Sequence, residues 1–185
     1  MALPNEQCAA EDVCCTSLYD MAASILDVAY TAVANCSTFN CPTPELVGYV
    51  SMGSQIADPH ADFLVVSLQS VSAAPESGGG RGNHILPIYR ASFQIKLLET
   101  GWPTPWGDDE QINIPDPVLV NDVTRHSMAH GEAMYRALAN AMATNVLPGD
   151  AQSYRRLEPL QPIEPSGGTV GWVTNLQIAT EFGRL

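Results

Sequence analysis

Leu157-Glu158-Pro159-Leu160-Gln161-Pro162-Ile163-Glu164-Pro165-Ser166-Gly167-Gly168-Thr169-Val170-Gly171-Trp172-Val173-Thr174-Asn175-Leu176-Gln177-Ile178-Ala179-Thr180-Glu181-Phe182 is the stretch whose reading decides the fold. Pro159, Pro162 and Pro165 have no backbone N–H to donate, so the first part suits an edge strand or extended arm rather than a central strand. The chain turns at Gly167-Gly168. Beyond the turn, Trp172, Thr174, Leu176, Ile178, Thr180 and Phe182 alternate with Val173, Asn175, Gln177, Ala179 and Glu181, the period-2 pattern of a half-buried strand. The sequence therefore ends in a sheet.

Earlier segments supply the rest of that sheet. Ile88 to Leu98 alternates in the same way, with Tyr89, Ala91, Phe93, Ile95 and Leu97 on one side and Arg90, Ser92, Gln94 and Lys96 on a wet or interfacial side. Asp62 to Val71 is apolar on both faces at its start, which predicts a central strand. Leu46-Val47-Gly48-Tyr49-Val50-Ser51 reads as a short first strand closed by Gly53. Two helices complete the set. From Ser17 to about Asn35, Leu18, Ala22, Ile25, Ala29 and Val33 recur at helical spacing, with Ser17 and Asp20 as a weak capping box. Asp116-Pro117 is a good start for the second helix, which is expected to reach about Asn145 and to be stopped with the help of Gly149. The predicted class is α+β: one mostly antiparallel sheet of about four to five strands packed with two main helices.

At 185 residues and 45% hydrophobic content, the chain is about one folded domain with a core of its own. No apolar run approaches the roughly 18 residues of a membrane helix, and residues 1–7 lack the positive charge and apolar run of a secretory signal, so a cytoplasmic chain is expected. Twenty acidic residues stand against 8 basic ones, for a net charge of -12. Arg155-Arg156 is the only adjacent basic pair, which argues against nucleic-acid binding.

Few residues invite chemistry. Cys8, Cys14, Cys15, Cys36 and Cys41 cluster in the first 41 positions, but no Cys-x-x-Cys spacing is present, and small apolar side chains or a Cys36–Cys41 or Cys8–Cys41 disulfide are alternatives to metal binding. His126 and His130 are four apart on the second helix, a spacing at which two imidazoles can share an ion. Ser127 replaces the glutamate of a metalloprotease pattern, and His130 continues the apolar stripe of Met134, Ala137 and Ala141, so packed or interfacial histidines are expected and no metal site is assigned. The Gly-rich loop, residues 74–84, lacks the lysine and hydroxyl of a phosphate loop, and no nucleophile elbow is present. The loop at 101–117 holds Trp102, Pro103 and Trp106, rigid aromatics suited either to a protein contact or to folding back over the core. Asp108-Asp109-Glu110 in the same loop reads as a solvated acidic run.

The order of elements and several local strings resemble the tail terminator, or tail completion, proteins of long-tailed, siphovirus-type bacteriophages. The strings are Tyr49-Val50-Ser51-Met52-Gly53, Phe63-Leu64-Val65-Val66-Ser67-Leu68, Phe93 to Pro103, and Pro165 to Trp172, and the resemblance spans about Ser17 to Phe182. It implies a single terminator-like domain over residues 1–185, with 1–16 as a cysteine-containing extension. It implies no enzyme, no catalytic residue and no cofactor, but a virion structural protein. The subunits would form a ring, expected to be a hexamer, that caps the tail tube, ends tube polymerisation and joins the tail to the head connector. The implied partners are other copies of the chain, the major tail tube protein and the connector or stopper protein, with DNA passing through unbound and no membrane involved. The place would be the head-tail junction of the virion, reached from the host cytoplasm during assembly. Trp102, Pro103, Trp106, Pro162, Pro165 and Trp172 are then the expected interface residues, and Asp108, Asp109 and Glu110 an acidic lumen. A neighbouring connector or stopper subunit and a small cytoplasmic cysteine-based metal protein are the alternatives.

Overall fold

Alternation and helical periodicity place the elements close to where the sequence predicts them. In the computed structural model, which describes residues 18–36, 46–52, 61–73, 88–103, 114–147, 155–166 and 168–181, the order is α1 (Leu18–Ala34), β1 (Val47–Met52), β2 (Phe63–Ala73), β3 (Ile88–Thr100), α2 (Pro117–Ala143), β4 (Arg155–Leu157), β5 (Gln161–Ser166) and β6 (Thr169–Glu181). The strands form one sheet in the order β1-β2-β3-β6-β4, with β5 also on β6.

The class is α+β, but the sheet has six strands rather than four to five, and it is mixed. The count is higher because the proline arm yields two strands. Pro159 separates β4 from β5, and β6 is long enough for both to lie along one of its edges, β5 over Thr169–Val173 and β4 over Leu176–Ile178. The other edge of β6 runs antiparallel to β3 along its whole length, from Ile88↔Glu181 to Thr100↔Thr169. β2 sits between β1 and β3, as its two-sided apolar start predicts, although its partner β1 is parallel to it.

The two helices lie on one face of the sheet. α1 contributes Met21, Ala22, Ile25, Ala29 and Val33 to the core, and α2 contributes Met134, Leu138 and Ala141. They meet Leu64 and Val66 of β2, Ala91, Phe93, Ile95 and Leu97 of β3, and Leu176 and Ile178 of β6. On the opposite face, half-buried polar side chains link the strands. Gln94 Nε2 donates to Asn175 Oδ1 at 3.5 Å, and Asn175 Nδ2 donates to Glu158 Oε2 at 2.8 Å.

Local chemistry sets the ends of α2. Asp116 caps the start, its carboxylate accepting from the Val118 N–H at 2.9 Å with Pro117 following. The helix stops at Ala143, and Asn145, at φ 56°, takes the left-handed turn that ends it; Gly149, the expected stop, lies outside the described residues. Arg155 then donates to Asn145 Oδ1 and to the Leu147 carbonyl, both at 2.9 Å, which ties the helix end to β4. Gly171 is required where β6 crosses β3, since a Cβ there would lie 2.0 Å from the Leu97 carbonyl oxygen.

Candidate functional site

The core-facing row of β3 reads Ala91, Phe93, Ile95, Leu97 and then Glu99, so strand parity carries a carboxylate into the same buried layer. Glu99 is only 4% exposed. The buried stripe of α2 likewise begins with polar residues: Ser127 and His130 precede Met134 and Leu138. At this end of the sheet the two rows meet, and His130 Nδ1 and Glu99 Oε1 form a hydrogen bond of 2.6 Å with both side chains shielded from solvent.

Three more groups complete the cluster. His126, one helical turn before His130 and half-buried, places its ring centroid 4.1 Å from that of His130 at an interplanar angle of 64°. Asp62, just before β2, is 4% exposed, and its Oδ1 accepts from the Thr100 N–H at 2.8 Å and the Thr100 hydroxyl at 3.0 Å. Trp172 closes the side toward β6, its Nε1 donating to the Ser127 carbonyl at 2.8 Å. Gly131 makes room for that indole, since a Cβ there would stand 2.7 Å from the Trp172 ring.

Electrostatics follow from the burial. Desolvation pushes the Asp62 carboxyl above its ordinary value; the Thr100 bonds and the neighbouring His130 pull it down, and Glu99 adds to the rise. The His126 imidazole is held below its ordinary value, chiefly by burial and then by His130, with Glu99 and Asp62 opposing. Glu99 Oε2 and His130 Nε2 are buried without a hydrogen-bond partner among the described residues. One donor atom from each of Glu99, His126 and His130 can be chosen so that the three lie within 4.8 Å of one another.

The residues expected at an interface are dispersed around this end. Trp102 and Pro103 are half-buried just after β3, with Gly101 at φ 95° turning the chain and the Trp102 N–H bonded to the Gly168 carbonyl at 3.0 Å. Pro162 and Pro165 are exposed on β5. Trp172 is committed within the chain, packed between β6 and α2. Trp106 and the Asp108-Asp109-Glu110 run lie outside the described residues, as do Cys8, Cys14, Cys15 and Cys41, and with them the whole of the suggested Cys8–Cys41 disulfide and one half of Cys36–Cys41. Cys36 is described, with Sγ 3.7 Å from the Ala129 carbonyl of α2. His130 is packed, as its place in the apolar stripe implies, whereas Glu99 and Asp62 went unread. For Glu99 the signal was present: it is the next inward position after Leu97.

Apolar surface is also concentrated on the early part of α2. Val118 and Leu119 in its first turn are 65% and 48% exposed, and Ile114 ahead of the cap is 84% exposed. No protein-family model matches the chain, and no curated protein matches it either.

Proposed function

We propose that the chain is a virion structural subunit of the tail terminator type, one that assembles with its own copies into a ring on the finished tail tube of a long-tailed bacteriophage. The ring ends tube growth and presents a surface to the head connector. The observation that carries this reading is the order of elements. A helix, a short strand, a central apolar strand, a long strand ending in Gly101-Trp102-Pro103, a long helix and a closing hairpin that leads into the Trp172 strand follow one another as the resemblance implies.

A ring requires each subunit to offer two different faces to its neighbours. The sheet has two different edges: β1, whose Met52 is 88% exposed, and the proline-bearing β5. The exposed start of α2, with Ile114, Val118 and Leu119, adds apolar area of the sort that protein contacts cover. The net charge of -12 suits a conduit through which DNA slides without adhering.

Headless tails purified from the source lysate and labelled with antibody to this chain provide the test. Label at one tail end, retained at the head-tail junction of complete particles, is the expected result. Label along the whole tail, or none on particles, overturns the assignment; label on filled heads but not on free tails assigns the chain to the connector side instead.

A further inference from the structure

We propose that Glu99, His126 and His130 form a binding site for a single divalent transition-metal ion of the zinc class, which clamps α2 to the end of β3. The site is independent of the role in the tail. Two imidazoles and a carboxylate are a donor set that suits zinc and its neighbours in the first row, and they exclude neither cobalt nor nickel. The donors come from two elements fixed by packing. The histidines are four apart on one helix face, and Glu99 is presented by the inward row of β3, 31 residues before His130 in sequence.

Donor atoms around tetrahedral zinc stand about 3.3–3.5 Å apart, given metal–ligand bonds of about 2.0–2.1 Å. Here all three fall within 4.8 Å, and the Glu99–His130 pair is at 2.6 Å. Movements of about an ångström, with the close pair opening and the outer donor drawing in, bring the three to a common ion. Such a change exchanges a proton for a cation: the proton held between His130 Nδ1 and Glu99 Oε1 leaves to solvent as the metal takes its place. Asp62 places a second carboxyl beside the cluster, which favours a cation. His126 is only half-buried and gives an ion a way in from solvent. Three protein ligands leave a fourth position for water.

Cobalt(II) titration of the full chain, followed by absorption spectroscopy and thermal melting, tests the proposal. The cobalt spectrum separates nitrogen and oxygen ligands from the thiolates of Cys8, Cys14, Cys15, Cys36 and Cys41. The expected result is one ion per chain, no sulfur-to-metal charge-transfer band and a rise in melting temperature. His126→Ala, at a half-buried position that leaves the Glu99–His130 bond in place, should weaken binding by about tenfold or more and reduce the thermal shift at a given cobalt concentration. Glu99→Gln, which keeps the shape of the side chain, should weaken it comparably. A thiolate band, affinity unchanged in His126→Ala, or no stoichiometric binding by the wild-type chain each overturns the site. Weak multisite uptake by the acidic surface would survive both substitutions and counts with the second of these.

Discussion

The middle of the helix-covered face and its end are built on the same elements, yet they differ in kind. In the middle, Phe93, Ile95 and Leu97 of β3 meet Leu64 and Val66 of β2, Leu176 and Ile178 of β6, and Met134 and Leu138 of α2, with nothing but carbon and one sulfur at the contacts. Two to four residues further along each element, the inward positions become Glu99, Asp62, Trp172 and His130. Strand and helix geometry treats both sets alike, because parity and periodicity decide which way a side chain points and not what it carries. The energetics differ. An apolar residue gains by leaving water, whereas a carboxylate or imidazole loses hydration and must recover it from partners. The middle is therefore held by volume and the end by complementary bonds: Glu99 with His130, Asp62 with Thr100 and Trp172 with Ser127.

Substitutions that separate volume from bonding sharpen the contrast. Phe93→Ala should cost the most, about 3–5 kcal/mol in denaturant unfolding, because Phe93 is wholly buried and its neighbours sit on paired strands that cannot collapse into the space. At the polar end, Glu99→Ala should cost about 1–3 kcal/mol by leaving His130 Nδ1 buried without its acceptor. Replacing both groups, as Glu99→Leu with His130→Leu, should cost less than Glu99→Ala alone, since it removes both desolvation penalties together. A double variant as damaged as the sum of its parts would show that the end is held by volume after all, like the middle.

The smallest effect concerns Asp62. Its folded carboxyl lies above the usual 3.8, so its contribution to stability is fully present below that value and is lost as pH rises through the folded value. Asp62→Asn keeps an oxygen that can accept both Thr100 bonds and has no charge to desolvate. Unfolding measured in the presence of a chelator should show a change of about 1 kcal/mol or less, with the variant gaining on the wild type as pH rises from about 3.8. A variant that loses ground as pH rises would mean that the Asp62 charge is stabilising.

Much of this was legible in the chain because it depends on near neighbours. The spacing of Leu18 to Val33 gives α1, Asp116-Pro117 gives the start of α2, and the alternation of Ile88 to Leu98 and Trp172 to Ile178 gives β3 and β6. The prolines at 159, 162 and 165 mark an edge, and Glu99 stands on the inward row for anyone who extends the alternation by one step. What the sequence alone determined is thus which elements form and which side of each is buried, since steric and hydrophobic periodicity act over a few residues.

Only the tertiary structure decided that β1 runs parallel to β2, that the arm divides into two strands on one edge of β6, and that Glu99 faces His130. These depend on register and on the placement of α2 over the sheet, which are fixed by the packing of residues far apart in the chain. A carboxylate at the end of β3 and an imidazole on α2 are each costly to bury, and nothing in the intervening residues shows that each is the other's partner. Their pairing exists because the Phe93 and Met134 layers lock the strand and the helix at one relative height, which leaves the two polar groups opposite each other.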